Sequence, residues 1–169
     1  MEEIVYTIVY HSGTEIVSKP ELRQSQRFLD FGPGFYTTHS YEQARRWAER
    51  QRRIRSLMSA IVCRYDISGL WDAELSIRRF ERPTPEWLNA VVSCRRGIDV
   101  FADDDVVVGP VADDNVFETI RFYETGIYTL EETLKRLQTE KLFNQVAFKS
   151  ERSLVFCRYL SCDSKGDAK

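Results

Sequence analysis

Three short segments of this 169-residue chain hold residue types suited to ligand chemistry. In Tyr10-His11-Ser12-Gly13 an imidazole follows directly on a β-branched and aromatic run, and its ring nitrogens can donate or accept a hydrogen bond without a permanent charge. Gly32-Pro33-Gly34-Phe35-Tyr36 joins two glycines, which let the backbone turn sharply beside another group, to a ring able to stack on a flat partner. Asn144-Gln145-Val146-Ala147-Phe148 places an amide inside a strand-like run, where it can orient a hydroxyl but cannot neutralise a positive charge. Each segment also has a plainer reading: a turn histidine bonded to backbone, a core tyrosine on a buried strand, and glycines that serve any tight turn.

Other chemistries find no support in the residues. There is no P-loop and no G-x-G-x-x-G, and Gly32 and Gly34 enter a strand instead of opening a helix, so a dinucleotide-binding Rossmann unit is excluded. Cys63, Cys94, Cys157 and Cys162 stand apart with no C-x-x-C pair and only two histidines, which points to reduced thiols and no metal site. The net charge of −2 gives the whole molecule no bias toward nucleic acid or anionic membrane, so any such partner needs a local patch.

The composition, 43% hydrophobic and 30% charged, is that of a chain that can fill a core, and the length suits one domain over residues 1–160 with a flexible tail over 161–169. Ile4 to Tyr10 reads as a first strand ending in a loop at His11. Ser40-Tyr41-Glu42-Gln43 is a capping box for a helix from Tyr41 to about Arg55, with Ala44, Trp47, Ala48 and Ile54 at helical spacing behind it. Strands are expected over 59–65, 106–110, 144–148 and 155–160. Helices are expected from Pro85 to about Arg95, from Asp113 or Asp114 to Tyr123, from Thr129 to about Thr139, and briefly after Ser150. The acidic start Met1-Glu2-Glu3 and the lack of a long apolar run favour a cytoplasmic protein, with leaderless secretion as the alternative.

In order and spacing the three segments resemble the ADP-ribosyltransferase superfamily, in its diphtheria-toxin and poly(ADP-ribose)-polymerase branch, whose signature is histidine, tyrosine, then glutamate. A closer likeness is to a bacterial family of unknown function, domain 3990, which reads Y-H-G-S, then D-F-G-x-G-F-Y-x-T, then Q-A-x-x-W-A. Here these are Tyr10 to Gly13, Asp30 to Thr38, and Gln43 to Ala48. The likeness continues through Glu86-Trp87-Leu88, Gly109 to Asp114, Tyr123 to Gly126 and Gln145 to Phe148, so it covers most of the chain.

That resemblance implies an α+β fold with a split, twisted β core, flanking helices, and a cleft for the nicotinamide end of NAD. NAD is then the substrate, no metal is involved, and ADP-ribose passes singly to a protein or nucleic-acid acceptor with release of nicotinamide, in a housekeeping, defence or effector setting. His11 would bond a ribose hydroxyl, Tyr36 would stack on the nicotinamide, and Gln145 would stand where the superfamily has its glutamate. Ser12, Gly13, Gly34, Phe35 and Thr38 would complete the binding surface. An amide at Gln145 allows a second reading, a non-catalytic NAD or ADP-ribose sensor. Asp113 and Asp114 are candidate substitute acids, and Arg23 and Arg27 candidate pyrophosphate clamps.

Arg45, Arg46, Arg50, Arg52, Arg53 and Arg55 carry a third reading, a nucleic-acid-binding domain working through this stripe, set against the solvated face of an ordinary helix.

Overall fold

Ser40, Thr84, Thr129 and Ser150 each accept a hydrogen bond from the backbone N–H three residues on, and each opens a helix. The helices are α1 (Tyr41–Ile54), α2 (Pro85–Arg95), α3 (Asp114–Glu124), α4 (Leu130–Leu137) and α5 (Glu151–Leu154). The strands are β1 (Ile8–Gly13), β2 (Phe35–Thr38), β3 (Ser59–Asp66), β4 (Ile77–Arg79), β5 (Val106–Pro110), β6 (Asn144–Phe148) and β7 (Arg158–Gly166). This computed structural model describes residues 5–22, 29–111, 114–139 and 142–166.

The strands make one open sheet in the order β4-β5-β6-β2-β1-β3-β7, antiparallel except for the β4–β5 pair. The molecule is therefore α+β, as expected. Alternation along each strand divides the core between two faces. On one, Val9, Phe35, Tyr65, Val106, Val146 and Phe148 pack with Leu70 and Leu154. On the other, Val107 and Ala147 meet Trp87 and Leu88 of α2 and Val116 and Ile120 of α3, while Ala60 and Val62 meet Ala44 and Ala48 of α1. Among the described residues no helix is long and apolar enough to cross a membrane.

Three expectations need correction. β1 begins at Ile8 and runs through His11 to Gly13, because Gly13↔Ile61 is still a register pair with β3; His11 sits in the strand, not in a loop after it. The last strand starts later and ends later than expected, since residues 161–166, assigned to a loose tail, pair with β3 as far as Ser59↔Gly166. That pairing sets Cys63 opposite Cys162, and the two form a disulfide, whereas Cys94 and Cys157 are buried thiols.

Asp66, at the end of β3, accepts from the Ser68 N–H at 2.8 Å and pairs with Arg158 of β7. The Ser68 bonds, then the Arg158 guanidinium, bring its carboxyl down to about 2. A folded-state value below the unfolded one contributes stability above about pH 4 that is lost as pH falls through the folded value. Asp66→Asn should therefore lower the melting temperature at pH 7, with the gap to the unsubstituted protein closing between about pH 4 and pH 2. A gap that stays constant across that range would contradict the assignment.

Candidate functional site

β1 pairs with β3 from Ile8↔Asp66 to Gly13↔Ile61, yet it meets β2 at one register pair only, Tyr10↔Thr38. Beyond that pair a side chain takes the place of the ladder: His11 Nδ1 lies 2.7 Å from the Tyr36 carbonyl oxygen. A carbonyl can only accept, so Nδ1 carries the proton, and in the neutral ring Nε2 is the acceptor. The imidazole stacks on buried Phe35, ring centroids 4.4 Å apart. Ser12 Oγ donates to the Ala44 carbonyl of α1 at 2.5 Å, tying this strand end to the helix. A Cβ built on Gly13 would approach no closer than 3.5 Å to Glu15 O and 3.6 Å to His11 Nε2, so the backbone beside the imidazole is not sterically closed.

The rings of His11 and Tyr36 do not share a cleft. His11 lies over Phe35 on the face of Val9 and Tyr65; Tyr36 packs on the opposite face with Ala147, its partner on β6. Neighbouring strand positions point to opposite sides, and the turn before β2 sets Phe35, not Tyr36, beneath the imidazole. Tyr36 Oη accepts from the Phe31 N–H at 3.0 Å and donates to the Gly32 carbonyl at 2.6 Å. Burial pushes this phenol far above its ordinary range, so it remains a protonated donor bracing the glycine turn.

The two glycines of that turn answer to packing. Gly32 has φ +76°, and a Cβ there would fall 2.6 Å from Asp99 Oδ1; a Cβ on Gly34 would fall 2.7 Å from the Phe148 carbonyl of β6. Thr38 is drawn toward α1, its hydroxyl 2.5 Å from Gln43 Oε1. The Gln43 side chain thus serves β2 instead of closing the expected capping box, although its N–H does bond Ser40 Oγ.

Gln145 and Ala147 share one face and Val146 and Phe148 the other, as strand alternation requires, and both faces are core. The Gln145 side chain, 7% exposed, is on the face of Tyr36. Its Nε2 donates to Asp30 Oδ2 at 3.3 Å, while Asp30 Oδ1 takes Arg95 Nε at 2.9 Å and Nη2 at 2.8 Å. Asp30 heads the D-F-G-x-G-F-Y segment, and that place is its signal in the sequence, although the resemblance assigns it no role. Glutamate at the position would restore the superfamily's charge but set a second carboxylate against Asp30 inside the fold. Gln145→Glu should cost about 1–3 kcal/mol of stability, more at pH 8 than at pH 5 because protonating one acid relieves the repulsion. Equal stability of the two proteins at both pH values would show that Arg95 absorbs the added charge.

Two surface recesses lie along α1. One, of about 170 Å³, is lined by Ser12, Gly13, Thr14, Trp47, Gln51 and Arg55, and so touches the strand end carrying His11. The other, of about 420 Å³, is lined by Arg45, Arg46, Glu49, Arg50 and Arg53. Trp47 and Ile54 were expected on the apolar stripe of α1, but they are 47% and 65% exposed, and Ala44 and Ala48 alone make the buried face. Arg23, Arg27, Asp113 and the Asp114 side chain lie outside the described residues. Among the described residues no cluster of three metal-ligating side chains occurs.

The model of a family described as protein of unknown function (DUF3990) matches residues 7–159. No curated protein and no solved structure matches.

Proposed function

The chain belongs to the DUF3990 family, and from that premise we propose that it binds NAD at the strand end His11-Ser12-Gly13 and passes ADP-ribose to a macromolecular acceptor. In this reaction the bond between the ribose C1′ and the nicotinamide nitrogen breaks, and its electron pair leaves with nicotinamide. A bond forms between C1′ and a nucleophile of the acceptor, which gives up its proton to solvent.

The observation that carries the reading is the bond from His11 Nδ1–H to the Tyr36 carbonyl, made where β1 parts from β2. It holds one tautomer and presents Nε2 as an acceptor for a ribose hydroxyl, while Phe35 fixes the plane of the ring. Tyr36 then acts as a positioning residue, through its carbonyl and through the turn its hydroxyl braces. The backbone of Ser12 and Gly13, beside the imidazole and open to close approach, offers hydrogen-bond partners to a carboxamide. Gln145 orients without neutralising, and Asp30 beside it is already answered by Arg95. Loss of one well-aimed electrostatic group costs on the order of 10²–10³ in rate, so the proposed transfer is slow.

Titration calorimetry with NAD, beside an assay for released nicotinamide, tests the reading. His11→Ala should weaken NAD binding about tenfold, the scale of one lost hydrogen bond, and should also lower the melting temperature because the bond to the Tyr36 carbonyl is lost with it. Binding without release selects the sensor, which the amide at Gln145 favours; neither binding nor release removes the proposal.

A further inference from the structure

The outer surface of α1 is absorbed neither by the core nor by the site above. Its fourteen residues hold five arginines against two glutamates, on a molecule whose net charge is −2. Arg46, Arg50 and Arg53 are spaced four and three apart, which sets them in one row on the helix, and all three are exposed. Their recess of about 420 Å³ includes Glu49, whose charge is engaged by Arg45 at 3.1 Å and Arg52 at 3.0 Å. Arg46 also lies over the Phe143 ring, 5.6 Å from its centroid, so its guanidinium sits at a defined place on the surface.

A second row runs beside the first. Trp47, Gln51 and Arg55 recur at intervals of four and line the smaller recess with Ser12, Gly13 and Thr14. An exposed indole, hydroxyl and amide groups, and a cation thus border one concavity next to a row of positive charge. Row and recess together match a polyanion that carries flat, hydrogen-bonding rings at intervals along a charged backbone. A bilayer surface would demand continuous apolar area, and here Gln51 and Arg55 interrupt Trp47, Ile54 and Met58. A single NAD carries one pyrophosphate, too little charge to span a row that extends about 10 Å at 1.5 Å per residue.

We infer that α1 is a binding surface for single-stranded nucleic acid: Arg46, Arg50 and Arg53 track the phosphates, and a base stacks on Trp47 over the adjoining recess. Arginine suits the first task because its planar fork pairs with phosphate oxygens, and an exposed aromatic suits the second because every base offers a π-face.

The test is fluorescence anisotropy with labelled twelve-residue oligothymidylate and oligouridylate over a salt series. Affinity should fall steeply with salt, and R46Q/R50Q/R53Q should flatten the log–log slope by about two, at roughly 0.7 per phosphate contact for a single strand. Trp47→Ala should weaken binding about tenfold with the slope unchanged. Both variants replace exposed side chains, and melting curves should show them folded, as should reversal of Arg50, Arg52 and Arg53 to glutamate. The inference is overturned by any of these results: no oligonucleotide binding at low salt, tighter binding of a duplex of equal length, binding of phosphatidylglycerol vesicles in place of oligonucleotide, or affinity unaffected by Trp47→Ala.

Discussion

Reducing the Cys63–Cys162 disulfide is expected to lower the unfolding free energy by about 4 kcal/mol, because it reopens a loop closed across 99 residues of chain. The bond joins β3 to β7 at directly opposed positions, and Cys63 is also the register partner of His11 on β1. Val17 N–H donates to its Sγ at 3.4 Å, so the bond also anchors the segment that follows β1. Guanidinium unfolding with and without dithiothreitol measures the loss. Cys162→Ser should match the reduced protein and ignore the reductant, whereas an unchanged midpoint on reduction would leave the bond without a stabilising role. The other two thiols should not complicate the readout. Cys157 is buried, which pushes its thiol up to about 12, and burial likewise raises that of Cys94. In a reducing cytosol the disulfide is not maintained, so compartment decides which of the two stabilities applies.

Gly32→Ala should cost about 3–5 kcal/mol, the sum of a left-handed backbone that disfavours any Cβ and a collision that disrupts a half-buried ion pair. The backbone part follows from φ +76°. The collision part follows from Asp99, whose Oδ1 would lie 2.6 Å from the new carbon and which bonds Lys149 Nζ at 2.9 Å. Lys149 is 3% exposed, and its other partner is the Phe31 carbonyl at 2.6 Å, so moving Asp99 leaves a buried ammonium without its counter-charge. Gly126→Ala separates the two parts, since Gly126 shares φ +76° but a Cβ there meets nothing within 4 Å. That control should lose only about 1–2 kcal/mol. Equal losses in the two variants, read from urea midpoints, would mean that the Asp99–Lys149 pair gives way freely.

Local chemistry determined much of this protein from its sequence alone. Capping side chains at Ser40, Thr84, Thr129 and Ser150 set the starts of four helices, because a cap needs only the N–H groups of the next turn. Runs such as Val106 to Pro110 and Asn144 to Phe148 became strands where expected, being short, rich in apolar residues and buried along nearly their whole length. The motifs Y-H-S-G and D-F-G-x-G-F-Y marked the segments that meet at the β1–β2 junction. Only the tertiary structure decided which side of the sheet each residue faces and what lies across from it. His11 and Tyr36 belong to neighbouring strands whose register turns their rings apart, and no spacing within either motif encodes that register. Gln145 has Asp30 for a partner across 115 positions, and Cys63 has Cys162 across 99, because pairing of β2 with β6 and of β3 with β7 brings those segments together. Trp47 and Ile54 keep helical spacing with Ala44 and Ala48, yet they are left outside: the sheet beneath α1 takes small residues at close approach, and the larger side chains remain on the surface.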